Sequence, residues 1–407
     1  MNFIKILLKS ILGKKVIIQQ SIIKKSIKYK INSLFRKDSI SLKSNYTILS
    51  KKGSSVFFGY YDVSPFNING NKILSNSFSG HGSLDIGFFT KKNVFNKVYE
   101  TNTWNFQMGC RLQWLNNTSE HILFNDFIDN NYKTIELSII HNKIINVFDR
   151  PIYEQSPDST FYLSLDFSRL GRLRPGYGYD NKIDDTIDQL IPDDNGVWLI
   201  NMKTKKEKLL FTIKEVGDYV GISYGEQYFN HMMISPKSDK FLFFHVTNLD
   251  NKRTINLLLY DFTSNSYKLL NNSGHISHCN WIDNNSFIAY STDINLGKGF
   301  IIYNIDGGKT EKTIIKNKLL KDDGHPTYNS NDHSILLDTY PDKYGEQTLM
   351  KYKMKSDEVE ILSKEFLPPE YYSEYRCDLH PRYSTKFDQI CIDTIVKGER
   401  VMKIILI

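Results

Sequence analysis

From residue 46 onward, short apolar runs alternate with polar, turn-forming segments in a pattern that repeats seven times along the chain. Each cycle opens with two strand-like runs. They are FGYYDVSPFNINGNKILSNS (58–77), MGCRLQWLNNTSEHILFND (108–126), YEQSPDSTFYLSLDF (153–167), FNHMMISPKSDKFLFFHV (229–246), GHISHCNWIDNNSFIAYS (274–291), GHPTYNSNDHSILLDTY (324–340) and CDLHPRYSTKFDQICIDT (377–394). A third run follows each pair, from LDIGFF (84–89) to VMKIILI (401–407), and a fourth follows in all cycles but the last. Runs of this length and β-branched, aromatic character predict strands. A four-strand period with a defective final unit predicts an all-β chain, a seven-bladed β-propeller over 46–407. The strand YTILSKK (46–52) then supplies the outer edge that the last blade lacks, which removes exposed sheet edges. The third unit carries an insertion at 168–195, long enough to suggest function.

Residues 1–45 follow a different rule. Phe3, Ile4, Leu7, Leu8, Ile11 and Leu12 recur at helical spacing among Lys5, Lys9, Lys14 and Lys15. Eleven of the chain's 52 basic residues and one of its 45 acids lie in this stretch, so the remainder is slightly negative. Such a basic amphipathic helical segment suits attachment to an anionic membrane surface; packing against the propeller side is the alternative. A slightly negative body excludes nucleic acid as the expected partner. Cys110, Cys279, Cys377 and Cys391 form no CxxC pair and read as reduced thiols. With Lys5 and Lys9 interrupting the first apolar stretch, neither a signal peptide nor a spanning helix is expected. The expected location is cytoplasmic, peripheral on the inner membrane.

His231, His278, His325 and His380 occupy equivalent places in four successive repeats, at intervals of 47, 47 and 55 residues. In a propeller, equivalent positions on the innermost strands meet around the central channel. The same register brings Asp62, Arg111, Arg376, Asp378 and Arg382 to a shared funnel. Converging imidazoles with an acid or water suit a divalent metal, and a further imidazole suits a base near neutral pH. Alternatively, the histidines are structural and hydrogen-bond neighbouring strands. In the insertion, Arg169, Arg172 and Arg174 beside Tyr177 and Tyr179 suit an anionic sugar, through guanidinium contacts and ring stacking; a solvated loop is the plainer reading. No P-loop, dinucleotide fingerprint or GxSxG motif is present.

The segments HMMISP (231–236), GHISHCNW (274–281), GHP (324–326) and CDLHPR (377–382) on seven repeats resemble the oligogalacturonate lyase group of polysaccharide lyases. That resemblance covers residues 50–407 and implies a manganese-dependent β-elimination on uronate oligosaccharides. It implies His231 as the base and His278, His325 and His380 as metal ligands, with Arg111 or Arg382 assisting. Asp62, Arg172, Arg174, Tyr177, Arg376 and Asp378 are the candidate substrate-binding residues. The family's glutamine-bearing metal motif is not recognisable here. FGYYD and DFSRLGRLRPGYGY also resemble propellers of bacterial surface-polysaccharide functions, some of them labelled glycosyltransferases. Three functions therefore stand side by side: a lyase-like enzyme on an acidic oligo- or polysaccharide, a membrane-associated transferase or sugar-binding module, and a non-catalytic interaction scaffold.

Overall fold

A computed structural model describes residues 45–407 apart from 91, 117, 251, 307, 308 and 385, together with Ile23, Lys24 and Ile27. Its 28 strands form seven four-stranded antiparallel sheets arranged as a seven-bladed β-propeller. Six blades are built from consecutive strands: 55–101, 113–148, 154–212, 226–274, 276–314 and 327–366. The seventh takes Arg382–Ser384, Gln389–Val396 and Glu399–Leu406 from the end of the chain and Tyr46–Leu49 from its beginning. Tyr46 pairs with Ile405 and Leu49 with Met402. The outer strand stops at Leu49 rather than at residue 52 because Lys51 bridges to Ser54 across a turn at Gly53, whose φ of 71° favours glycine. That turn sends the chain into the first blade.

The middle strands are apolar on both faces because each sheet is sandwiched between two neighbours. Phe241, Leu242, Phe243 and Phe244 are consecutive and all buried. Between the third and fourth blades, Phe211 meets Phe243, Tyr260 and Phe229 at ring distances of 5.0, 5.1 and 5.6 Å. Outer strands keep a wet face, as Lys143–Phe148 does.

The insertion at 168–195 begins with helix α1 (Phe167–Leu173), capped by Asp166, whose carboxylate accepts from the Ser168 and Arg169 backbone N–H groups. Arg169 is buried and donates to the carbonyls of Gln227, Thr186, Gln189 and Leu190, so it knits the loop together. Tyr179 stacks on Phe167 at 4.6 Å. Both residues are thus structural, not sugar-binding.

The amphipathic expectation for 1–45 falls outside the described residues except at Ile23, Lys24, Ile27 and Asn45; the first three are helical and exposed. Among the described residues, no helix is long and apolar enough to cross a membrane.

Candidate active site at the propeller axis

Local backbone features turn the imidazoles toward one another. The ladder of the fourth blade is interrupted between Asn230 and Met233, and that of the fifth between Ile276 and Cys279, each beside a histidine. His231 and His380 adopt left-handed φ values of 50° and 45°, a conformation costing about 1–3 kcal/mol for a non-glycine residue. His231 is held there by its backbone N–H, which donates to Asn230 Oδ1 at 2.8 Å and to the Tyr153 hydroxyl at 3.0 Å. Gly324 lets the chain press on the second strand of its blade, since a Cβ there would lie 1.8 Å from the Asp338 carbonyl oxygen. Its neighbour His325 consequently bonds Asp338 through both backbone N–H (2.7 Å) and ring Nδ1 (2.9 Å).

The rings do converge. His278 and His325 lie 4.0 Å apart by ring centroid, His325 and His380 4.4 Å, and His231 and His278 5.8 Å. His325, His380 and Asp378, all buried, bring one ligand atom each within 4.8 Å of the others. Their outward bonds orient these atoms. Asp338 holds Nδ1 of His325, while Nδ1 of His380 donates to the Gly59 carbonyl at 2.8 Å. The remaining Nε2 atoms of both rings are buried without a hydrogen-bond partner. A buried imidazole nitrogen without a partner, backed by a carboxylate or carbonyl on the other nitrogen, is what metal ligation requires. The donor set of two imidazoles and a carboxylate suits a divalent transition ion.

His278 stands outside that mutual reach. Its Nδ1 faces Ser277 Oγ at 2.9 Å and Asp323 Oδ1 at 3.2 Å. Asp378, expected on the substrate side, takes the third place instead, with its oxygens receiving Arg376 Nε at 2.6 Å and Nη2 at 2.7 Å. The space between the imidazoles is filled by two tyrosines that follow Gly59. Tyr60 lies 5.0 to 6.4 Å from all four histidine rings, and its hydroxyl is 2.5 Å from His231 Nε2. Tyr61 packs on His325 at 5.1 Å and anchors its hydroxyl to the Cys279 backbone.

Enclosure by these rings sets the protonation states. It pulls His231 well below the usual imidazole value, helped by the positive potential of His278 and Arg174. Burial does the same to His380, with His325 and Arg382 adding to it. Burial also works against protonating His325, but Asp338, Asp378 and Asp323 overcome it and leave this ring above the ordinary value. Burial keeps the Tyr60 phenol protonated, its pKa well above the ordinary range.

Several sequence candidates are engaged elsewhere. Arg111 and Asp62 form a buried pair at 2.9 Å, and Arg111 also donates to the Tyr153 carbonyl. Arg382 is fully buried against Asp393 at 2.9 Å and donates to the Gly59 carbonyl, so it shapes the turn before Tyr60. Neither arginine is open to a substrate, because each guanidinium is spent on a carboxylate and a carbonyl. Arg172 is bound by Asp184 at 2.8 Å and Glu226 at 2.5 Å. Arg376 is spent on Asp378 yet still borders a cavity.

Arg174 and Tyr177 reach the axis. Together with His231, Arg253, His278 and Tyr340 they line a cavity of about 90 Å³. The Arg174 guanidinium lies over the Tyr177 ring at 4.7 Å, and Tyr177 meets Tyr60 edge-on at 5.8 Å. Tyr60, Tyr61, Arg253, Asp338 and Tyr340 were not anticipated from sequence. Only the YY pair of FGYYD carried a signal, since it stands in the first blade where later blades place histidine.

No protein-family model and no curated protein matches the chain. Among solved structures it is similar to an oligogalacturonate lyase in complex with manganese, at 13% identity and a TM-score of 0.65, over 91% of this chain and 95% of that one. It is also similar to an oligogalacturonate lyase from Vibrio parahaemolyticus, at 11% identity and a TM-score of 0.63, over 90% and 96% of the two chains. At these identities the likeness establishes the propeller fold.

Proposed function

We propose that this propeller cleaves an acidic, uronate-containing oligo- or polysaccharide by metal-dependent β-elimination. The observation that carries this reading is the pair of buried, partnerless Nε2 atoms on His325 and His380, two histidines that gather with Asp378 at one point. The fold shared with two oligogalacturonate lyases, one of them a manganese complex, supports it. His325, His380 and Asp378 would hold a divalent cation such as manganese, whose positive charge would offset the negative charge developing on the uronate as its proton leaves.

The chain's own groups account for the proton traffic. Arg174 and Arg253 at the cavity mouth attract the uronate carboxylate. His231 is neutral, and when Nε2–H donates to the Tyr60 oxygen its Nδ1 keeps a lone pair with no other partner. Nδ1 takes the proton on the carbon next to the carboxylate. That electron pair forms the new carbon–carbon double bond, and the bond to the glycosidic oxygen breaks. Tyr60 gives its hydroxyl proton to the leaving oxygen and recovers one from His231 Nε2 across their 2.5 Å contact. Protons and electrons balance, and no water is consumed.

The test is the absorbance of the unsaturated product, followed on a panel of uronate polymers with manganese added. A rise that disappears in His231→Ala is the expected result. No rise on any uronate polymer overturns the proposal.

The second reading, a sugar-binding module without chemistry, draws on one observation: Tyr60 and Tyr61 occupy the axis and leave His325 and His380 buried. Calorimetry separates the two readings, because a binding module retains an oligouronate unchanged.

A further inference from the structure

The axial cavity does not end at Arg174. Arg174 and Tyr177 also line a neighbouring cavity of about 260 Å³ with Gln107, Glu374 and Arg376. Glu374 and Pro175 in turn line a third, of about 340 Å³, bordered by Trp104, Phe106, Asp180 and Tyr375. Shared walls set the three cavities side by side, from the axial histidines past Arg174 and Tyr177 to Trp104 and Phe106.

The character of the lining changes from one cavity to the next. At the axis the basic lining is Arg174 and Arg253 with two histidines, and no carboxylate borders the cavity. In the middle, Arg174 and Glu374 bring opposite charges, and Arg376 is neutralised by Asp378. At the rim the charged lining residues are Asp180 and Glu374, both exposed, and no cation borders the cavity. A sugar carboxylate is attracted at the first position and repelled at the last.

The rim cavity also has a rigid aromatic wall. The Trp104 indole donates to the Gly82 carbonyl at 3.0 Å and packs against Phe78 at 4.7 Å and Phe106 at 5.0 Å. Tyr375 extends this wall, 5.7 Å from Phe106, with 58% of its surface exposed. Aromatic faces carry negative potential and attract the C–H face of a pyranose. Carboxylates beside such a face accept from hydroxyl or amide N–H groups. A volume of about 340 Å³ falls in the ordinary range for small-molecule sites.

We infer that this rim cavity is a sugar subsite for a pyranose bearing no carboxylate, so that the substrate is a mixed polymer in which uronate alternates with neutral or N-acetylated sugar. The inference rests on the axial reading for the uronate end. It assigns Tyr375 and Trp104 to stacking, and Glu374 and Asp180 to hydrogen bonding.

The test is titration calorimetry on the full chain with three probes of equal length: a homo-oligouronate, an oligomer alternating uronate with N-acetylhexosamine, and a neutral N-acetylhexosamine oligomer. The alternating oligomer is expected to bind about tenfold tighter than the homo-oligouronate, the scale of one good stacking contact with its hydrogen bonds. Tyr375→Ala, which removes an exposed ring, is expected to erase that difference. Glu374→Gln keeps the wall and removes the charge, so it narrows the preference. Equal or tighter binding of the homo-oligouronate, or indifference of all probes to Tyr375→Ala, overturns the rim subsite. Cleavage of homo-oligouronates without any such preference leaves the axial reading standing and removes this one. Tyr375-dependent binding of the neutral oligomer without cleavage of any uronate does the reverse.

Discussion

The Tyr60 hydroxyl lies 2.5 Å from His231 Nε2, which joins the first blade to the fourth at the centre of the ring. Tyr60→Phe removes one oxygen and keeps the ring packed among the four imidazoles. With the relay broken, the cleavage rate is expected to fall by about 10²–10⁴-fold, the usual scale of a lost acid–base group. The melting temperature should stay close to that of the parent. Full turnover in this variant would remove Tyr60 from the proton path.

Metal content distinguishes the ligand set formed by Asp378 from the one built on His278. Asp378→Asn and His380→Ala are each expected to weaken divalent-ion binding by more than about 10–100-fold, the effect of losing a mere supporting residue. His278→Ala should retain the ion. Elemental analysis after gel filtration reads this directly. Loss of the ion from His278→Ala, with retention in Asp378→Asn, would restore the three-histidine set.

Arg382 and Arg111 were candidate catalytic residues by sequence and are buried partners of Asp393 and Asp62 in the fold. Truncating one side of a buried pair strands the other charge, at a cost of about 3–5 kcal/mol. Arg382→Ala should therefore unfold at markedly lower urea concentration. Unchanged stability with lost activity would return Arg382 to the reaction.

Much of this arrangement was legible in the amino-acid order. The blades could be read because a four-strand unit repeats, and the histidine register because His231, His278, His325 and His380 sit at one place in that unit. Pairing was not legible. Arg111 meets Asp62 from 49 residues away and Arg382 meets Asp393 from the next strand, and a guanidinium looks the same in sequence whether it is spent or free. Asp378 precedes His380 by two residues, yet only the left-handed turn at His380 brings both to one point. In the insertion, Arg169 and Arg172 proved to be internal braces, while Arg174, two residues further, reaches the axis.

His245 gives the pH dependence away from the axial triad. It is fully buried, bonded to Gln227 Oε1 at 2.8 Å, and burial lowers its pKa to about 4. Between that value and the unfolded imidazole value, the unfolded chain binds a proton that the native state refuses. Stability is therefore present above pH 6.5 and lost as pH falls toward 4, by on the order of 3 kcal/mol for this group. Glu154, raised by burial, works in the opposite sense: its contribution is present in acid and lost as pH rises through its elevated pKa. Melting curves from pH 7 to pH 4 should show a decline that is shallower in His245→Gln. An identical slope in that variant would mean that His245 is protonated in the native state.

The strand Tyr46–Leu49 lies against Glu399–Leu406, and the Leu406 N–H donates to the Asn45 carbonyl. Only hydrogen bonds and packing close the circle at that seam; no peptide bond does. The ring thus has no privileged starting point. Joining the two ends covalently and reopening the chain in a loop between other blades would leave the axis, its imidazoles and the cavities where they are, while fixing permanently the one junction that can otherwise come undone.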